Sequence, residues 1–198
     1  MKTGIEKKTD SQLIHAINRG DKAAFASLVR RYEDTVYKFS YKVCRDSRKA
    51  EEAVQDTFIN VYRKLDSFDG KSKFSTWLYS IVTNNCLMSH RKRKLDDLLE
   101  SLDDPPTDDN GRLVKHIARW EETPADVLMQ KEFHTFLDKA ILKLPVDYRV
   151  VFVLRDLEGK STEETAEILG ISGEATKSRL RRARAFLRTQ LSPYMRPQ

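Results

Sequence analysis

The stretch Lys160–Arg188, KSTEETAEILGISGEATKSRLRRARAFLR, decides the fold class of the C-terminal part of the chain. Ser161 lies three residues before Glu164, which is the spacing of a capping box at a helix N-terminus. Gly170 tolerates the left-handed backbone conformation that commonly ends a helix, and a second helix follows. The pattern predicts a helix-turn-helix.

The second helix of this motif has an apolar face and a basic face, because residues three or four apart share one side of an α-helix. The apolar face carries Thr176, Leu180, Ala183 and Leu187. The opposite face, here called the basic stripe, carries Lys177, Arg181, Arg184 and Arg188. No Asp or Glu occurs from 175 to 198, so nothing nearby offsets these charges. The helix suits the phosphates and base edges of DNA; an ordinary solvated amphipathic helix is the alternative.

Charge is unevenly distributed along the 198 residues, although the net charge of +6 and the pI of about 9.2 already suit a polyanionic partner. Between Leu95 and Asp126 ten acidic residues stand against three basic ones. This acidic segment contains the turn-forming sequence PPTDDNG, which predicts a linker. The blocks on either side are correspondingly more basic.

Several functional classes are disfavoured by composition. The two cysteines, Cys44 and Cys86, lie far apart without a CxxC motif, so we interpret both as reduced core residues. The four histidines fall in unrelated settings and no catalytic constellation is evident, so we expect no metal, no cofactor and no enzyme activity. No apolar run approaches the roughly 20 residues of a membrane span, and the N-terminal sequence MKTGIEKKTD lacks the apolar segment that a signal peptide needs. These features predict a cytoplasmic protein.

Helical periodicity recurs along the chain and strand signals are nearly absent, which predicts an all-α fold of two small helical domains. We expect a tail at residues 1–9 and a four-helix domain at 10–94. The acidic linker then covers 95–124, and a second domain with the helix-turn-helix covers 125–198. In the first domain, Gly20 and Asp21 mark the junction between the first two helices.

Six segments, taken in order, carry a resemblance to a known family. They are GDKAAF at 20–25, AEEAVQDTF at 50–58, LDSF at 65–68, FSTWLY at 74–79, LP at 144–145 and TKSRLRRAR at 176–184. Together they resemble the bacterial RNA polymerase sigma factors of the extracytoplasmic-function (ECF) type, within the sigma-70 family. The resemblance spans about residues 10–195. It implies that 10–94 corresponds to sigma region 2 and 125–198 to sigma region 4.

The resemblance also implies a function and partners. A protein of this family binds core RNA polymerase, directs it to promoters by reading the -10 and -35 elements, and helps melt the -10 region. Expected partners are core RNA polymerase, promoter DNA as -35 duplex and melted -10 strand, and an anti-sigma factor. The acidic linker resembles a segment threaded near the polymerase active site, where it imitates the charge of RNA. From the residues alone, a stand-alone helix-turn-helix regulator and a protein-binding adaptor remain alternatives.

By the resemblance, the third helix docks on the polymerase. The expected docking residues are Glu51, Glu52, Gln55, Asp56, Phe58 and Asn60. An acidic, polar face does not suit DNA, although an ordinary solvated face would look similar.

The expected -10 surface combines a small, basic loop with aromatic and amide side chains on the following helix. It comprises Phe68, Asp69, Gly70, Lys71, Ser72, Lys73, Trp77, Tyr79, Asn84, Asn85, Arg91 and Arg93. Exposed aromatic rings beside cations suit stacking on unpaired bases. By resemblance, the loop captures a base flipped out of the melted strand. Trp77 is either a base contact or a core residue, so we favour Phe68 and the loop.

The expected -35 surface lies on the recognition helix and comprises Ser172, Lys177, Ser178, Arg179, Arg181, Arg182 and Arg184. The chain departs from the family at Thr176, where relatives usually carry Val. The hydroxyl group of Thr176 therefore has to find a helical carbonyl.

Overall fold

The computed structural model describes residues 8–100 and 135–195, and within them the side chains of 8–91 and 135–192. Every regular element in these ranges is helical, which confirms the all-α prediction. The N-terminal elements are α1 (Asp10–Asn18), α2 (Lys22–Cys44), α3 (Ser47–Lys64), a 3-10 turn (Leu65–Ser67) and α4 (Phe74–Glu100). The C-terminal elements are α5 (135–143), α6 (Val146–Phe152), a π-helical turn (Val153–Leu157), α7 (Thr162–Leu169) and α8 (Gly173–Met195).

Short polar caps set the starts of the N-terminal helices. Thr9 forms a capping box with Gln12 at the start of α1. Asp21 accepts a hydrogen bond from the backbone N–H of Ala24, as expected from the sequence. Gly20 before it has φ +94°, a conformation that few residues other than glycine adopt.

Helices α1 to α4 bury their apolar faces in one core. Leu28 and Phe39 of α2, Val61 of α3 and Leu78 of α4 are at most 2% exposed. Helix α4 continues to Glu100, beyond the predicted domain boundary at residue 94. The rest of the predicted linker, 101–124, lies outside the described residues, as do the tail residues 1–7.

The helix-turn-helix forms as the sequence predicts. Ser161 and Glu164 make the capping box of α7, and Gly170 ends that helix with φ +60°. On α8 the whole predicted apolar face, Thr176, Leu180, Ala183 and Leu187, is buried. The Thr176 hydroxyl donates to the Ser172 carbonyl at 3.1 Å, so this buried hydroxyl group is satisfied by the backbone of its own helix.

The C-terminal helices pack directly on the N-terminal ones, a contact that the sequence analysis does not predict. Val153, Leu154 and Ile168 belong to the same buried cluster as Phe39 and Leu78. Helix α7 packs against α4, and α6 packs against α2 and α4. We call this contact between residues 10–94 and 135–195 the seam.

Candidate functional site

An acidic and partly apolar surface covers one side of α3. Glu51, Glu52, Gln55 and Asp56 are exposed, as predicted. Phe58 is only 9% exposed and packs in the core, and Asn60 donates to the Asn85 side chain at 3.0 Å. These two predicted docking residues therefore face other parts of the domain.

Two apolar residues extend the same face and were missed from the sequence. Ile59 is 48% exposed and Tyr62 is 59% exposed. They follow Gln55 and Asp56 at helical spacing, which was a usable signal. Large exposed apolar groups beside carboxylates are typical of a surface that another protein covers. We call residues 51, 52, 55, 56, 59 and 62 the acidic face.

The loop between the 3-10 turn and α4 is exposed and held by its own polar groups. The Asp69 carboxylate accepts a hydrogen bond from the backbone N–H of Lys71 and pairs with its ammonium group at 2.7 Å. These contacts with Lys71 lower the pKa of Asp69. Gly70 has φ +71°, which the turn requires. Lys73 is also exposed, and Ser72 is half-buried.

Three aromatic rings pack together where this loop meets the first domain. Phe68 lies 5.8 Å from Phe74 and 5.2 Å from Trp77 between ring centroids. Phe74 is buried, whereas Phe68 and Trp77 are half-buried at the edge of the core. Trp77 thus combines core packing with an accessible ring edge, and its role as a base contact stays a prediction.

Further along α4 the predicted DNA-reading residues differ in accessibility. Asn84 and Arg91 are exposed. Asn85 is engaged inside the domain, where its amide donates to the Thr57 hydroxyl at 3.1 Å. The side chain of Arg93 lies outside the described residues.

Tyr79 lies under the seam and is only 7% exposed. Its hydroxyl group donates to Glu158 at 2.7 Å, and the same carboxylate accepts from Lys42 at 2.6 Å. The ammonium group of Lys160 lies 4.6 Å from the centre of the Tyr79 ring. Burial, and then the bond to Glu158, raise the pKa of Tyr79. In this arrangement Tyr79 contacts the second domain and not solvent.

Two arginines add polar contacts across the seam. Arg149 of α6 is 6% exposed and donates to the Val43 carbonyl of α2 at 2.8 Å. Arg45, which follows α2, pairs with Asp138 of α5 at 2.6 Å. The seam therefore combines an apolar centre with charged pairs.

The basic stripe of α8 is exposed along its length, as predicted. Arg184 is held by Asp156 through two bonds of 2.8 and 2.5 Å, and Lys177 pairs with Glu174. No carboxylate among the described residues pairs with Arg181.

The rest of the predicted -35 set surrounds the start of α8. Ser172 is exposed and accepts a hydrogen bond from the backbone N–H of Ala175. Arg182 donates to the Tyr148 hydroxyl at 3.2 Å. Ser178 and Arg179 are half-buried and line an open groove together with Pro145 and Tyr148.

Ranges 8–100 and 135–195 contain no group of three or more His, Cys, Asp or Glu side chains that could hold a metal ion. None of the helices described in those ranges is long and apolar enough to cross a membrane.

The arrangement of two helical domains, with an acidic face on one and a basic recognition helix on the other, agrees with comparisons to known families. Residues 28–95 match sigma-70 region 2, and residues 137–187 match sigma-70, region 4. These matches define a protein of the sigma-70 class.

Individual relatives narrow the class further. The chain is 36% identical over 178 residues to the ECF RNA polymerase sigma factor SigW of Bacillus subtilis, covering 90% of this chain and 94% of the relative. It is 33% identical to the ECF RNA polymerase sigma-E factor of Haemophilus influenzae, covering 96% and 99% of the two chains. The chain belongs to the ECF RNA polymerase sigma factors.

Two solved structures share the fold. RpoE of Bartonella quintana, in complex with the anti-sigma factor NepR, is 26% identical with a TM-score of 0.66, covering 85% of this chain and 96% of RpoE. CnrH, in complex with the cytosolic domain of CnrY, is 25% identical with a TM-score of 0.62, covering 91% and 96%. The chain is a polymerase-binding promoter-specificity factor, and the stand-alone regulator is not favoured. Sigma factors as a family are not enzymes.

Proposed function

We propose that this sigma factor divides its work between two oppositely charged surfaces, with the acidic face of α3 binding core RNA polymerase and the basic stripe of α8 reading the -35 element. The observation that carries the proposal is the exposure of both surfaces while the seam is closed. The division into region 2 at 10–94, an acidic linker at 95–124 and region 4 at 125–198 is part of the proposal.

The acidic face is suited to a protein partner. Glu51, Glu52 and Asp56 supply negative charge, which repels DNA and steers a basic protein surface toward α3. Ile59 and Tyr62 supply apolar area that gains free energy when water is displaced. We therefore place the centre of docking at Gln55, Asp56, Ile59 and Tyr62, with Phe58 supporting them from the core.

The basic stripe is suited to duplex DNA. Arg181 and Arg188 are exposed on the side of α8 opposite its buried face, so phosphate contacts need no rearrangement of the fold. Ser172 lies at the N-terminus of α8, where recognition helices commonly meet base edges. Lys177, Ser178, Arg179, Arg182 and Arg184 complete the proposed -35 surface.

The -10 surface is proposed to act on a melted strand. Phe68 and Trp77 offer accessible ring edges, and the loop at 69–73 presents cations beside them. Asn84 and Arg91 extend the surface along α4, together with Asn85 and Arg93. Tyr79 can join it only after the second domain moves away from α4, because Glu158 now holds its hydroxyl group.

We also propose that an anti-sigma factor binds this protein and that it works in the cytoplasm, where core polymerase is found. Two observations support a regulatory partner. The structurally similar RpoE was solved with the anti-sigma factor NepR, and CnrH was solved with the cytosolic domain of CnrY. The proposal includes no catalytic activity and no cofactor for the chain itself.

Reconstituted transcription tests the docking assignment. We expect the chain to give specific transcripts with core polymerase on a promoter library, and Asp56→Arg to lose core binding by at least tenfold, because a reversed charge meets its partner at close range. Glu33→Arg, an equally exposed charge reversal on α2, is the matched control and should bind normally. Unchanged co-purification of Asp56→Arg with core polymerase, with circular dichroism showing both variants folded, would remove α3 from the interface.

A further inference from the structure

The two cysteines that the sequence separates by 42 positions lie side by side in the fold. Cys44 is the last residue of α2, Cys86 lies in α4, and their sulfur atoms are 3.8 Å apart. Both are free thiols. A disulfide has a sulfur separation of about 2.05 Å, so the sulfurs have to approach by roughly 1.8 Å, which is within reach of side-chain rotation.

The two thiols differ in accessibility in a way that separates their roles. Cys44 is half-buried, whereas Cys86 is 2% exposed. Both line a cavity of about 210 Å³ that lies between the domains, with Leu142 and Arg149 on its other side. A small, neutral oxidant that enters this cavity can reach Cys44, and the Cys86 sulfur lies 3.8 Å from the Cys44 sulfur.

The surroundings of Cys44 favour its reactive form. Lys49 of α3 and Arg149 of α6 line the same cavity, and His90 of α4 completes its polar wall. The pKa of Cys44 is lowered, first by its hydrogen bond with Cys86 and then by Lys49 and Arg149, against the opposing effects of burial and of Asp46. The same hydrogen bond and its own burial raise the pKa of Cys86. The thiolate is the nucleophilic form of cysteine, so Cys44 is the sulfur expected to attack.

We propose that Cys44 and Cys86 are a peroxide-reactive thiol pair that closes reversibly to an intramolecular disulfide. The Cys44 sulfur attacks a peroxide oxygen, the O–O bond breaks, and the leaving oxygen takes a proton to depart as an alcohol or water. This leaves Cys44 as a sulfenic acid. The Cys86 sulfur then attacks the Cys44 sulfur, the S–O bond breaks, and the Cys86 proton leaves with the oxygen as water. Two thiols are oxidised by two electrons and one peroxide is reduced.

The site lies where oxidation can affect the seam. Cys44 is flanked by Val43, whose carbonyl accepts from Arg149, and by Arg45, which pairs with Asp138. A disulfide at Cys44 therefore lies next to both of these seam contacts.

Treatment of the reduced full chain with hydrogen peroxide tests the proposal. We expect the monomer to lose both thiols together, with a mass decrease of two hydrogens and restoration by dithiothreitol. Peptide mapping should place the bond between residues 44 and 86 and should separate it from methionine oxidation. Thiols lost one at a time, or a disulfide found only between two chains, would overturn the pairing.

Two variants assign the order of the steps. In Cys86→Ser, a sulfenic acid should persist at Cys44 and be captured by dimedone. In Cys44→Ser, the remaining thiol at Cys86 should react at least tenfold more slowly than Cys44 does. Equal reactivity of the two variants, with circular dichroism matching the parent, would contradict the assignment of Cys44 as the attacking sulfur. The wild-type mass measurement decides the pairing even if one variant folds poorly.

Discussion

The basic stripe of α8 and the proposed -10 surface are both expected to contact DNA, yet their side chains are in different states. Arg181 and Arg188 already project into solvent from the face of α8 that lies opposite its buried residues. On the -10 surface, Phe68 packs on neighbouring rings, Asn85 bonds inside the domain and Tyr79 is bonded to Glu158. Arg181 and Arg188 are thus available to a ligand, whereas Phe68, Asn85 and Tyr79 are occupied with internal contacts.

This difference between the basic stripe and the -10 surface corresponds to the form of DNA that each is expected to bind, duplex for the stripe and melted strand for the -10 surface. Duplex phosphates are available without any change in the nucleic acid, so a rigid, exposed basic stripe suffices. Unpaired bases appear only after melting, and their capture needs rings and amides that otherwise stack and bond elsewhere. A surface that is satisfied internally until melting occurs avoids leaving apolar rings exposed on the free protein.

The largest expected effect comes from removing the base-capturing groups. Phe68→Ala combined with Ser72→Ala should lower open-complex formation about tenfold or more, since stacking is worth roughly 1–3 kcal/mol per base. Duplex binding through α8 should remain. Permanganate reactivity of unpaired thymines measures the opening directly.

Phe68→Leu is the matched control for that experiment, because it keeps apolar packing against Phe74 but removes the stacking ring. A premelted bubble template should partly rescue the double variant. If the double variant melts the natural promoter as well as the parent, Trp77 or Asn84 becomes the better candidate for base contact.

Weakening the seam should make the -10 surface more available to single-stranded DNA. Glu158→Ala removes the acceptor of both Tyr79 and Lys42, and hydrogen bonds to a charged group contribute about 1.5–3 kcal/mol each. Solvent screening at the exposed edge of the Lys42 pair reduces its share. We expect the free chain to bind a single-stranded -10 oligonucleotide several-fold more tightly, as measured by fluorescence anisotropy. Glu167→Ala, an exposed acid on α7, should leave that affinity unchanged.

Within the basic stripe, single substitutions should distinguish Arg181 from Arg184, which is paired with Asp156. Arg181→Ala should weaken -35 duplex binding and reduce the salt slope by about 0.9, the value for one phosphate contact. Arg184→Ala should do less, because Asp156 already holds its guanidinium group. Equal slopes for the two variants would show that the pair with Asp156 breaks on DNA.

The smallest predicted effect is a pH dependence confined to alkaline solution. Because the pKa of Tyr79 is raised from its ordinary value of 10.0, its contribution to seam stability is fully present below about pH 10 and is lost as pH rises toward the folded-state pKa. An ionised Tyr79 would face the Glu158 carboxylate, so the domains should separate. Small-angle scattering should detect an increase in the radius of gyration.

Tyr79→Phe should remove this alkaline step in the scattering profile. Tyr32→Phe is the matched control, because burial and Asp10 likewise raise the pKa of Tyr32, but within the first domain. An alkaline expansion that persists in Tyr79→Phe would assign the titration to another group.

Local signals explain what the sequence predicts well. Capping residues such as Ser161, the end of α7 at Gly170 and the buried face of α8 follow from spacings of three or four residues, which fix which side of a helix packs. The exposed positions on α3 follow for the same reason. Ile59 and Tyr62 share the same spacing, but the predicted docking face is defined by polar side chains and therefore does not include them.

The features that the sequence does not predict depend on contacts between segments that are distant in the chain. Nothing near Tyr79 in sequence indicates that Glu158 lies above it, and the periodicity of α2 and α4 does not bring Cys44 next to Cys86. Burial of Arg149 is likewise unexpected, since charged residues are seldom buried unless they have partners, and its partner Val43 is distant in the sequence. Such pairings depend on how whole helices are oriented, and helical periodicity carries no information about that orientation.

Arg149 also interacts with the C-terminal ends of two helices, where the helix macrodipoles are negative. Its guanidinium group donates to Val43 in the last turn of α2 and to Leu144 just after α5. Each helix C-terminus carries a partial negative charge of about half an elementary charge, so a single fixed cation compensates two macrodipoles from two domains. If the domains part, α5 keeps its cation while the end of α2 is left to water. When the domains separate, the second domain therefore keeps the interaction between Arg149 and the C-terminus of α5. Hydration of the α2 C-terminus offsets most of the interaction energy that the first domain loses.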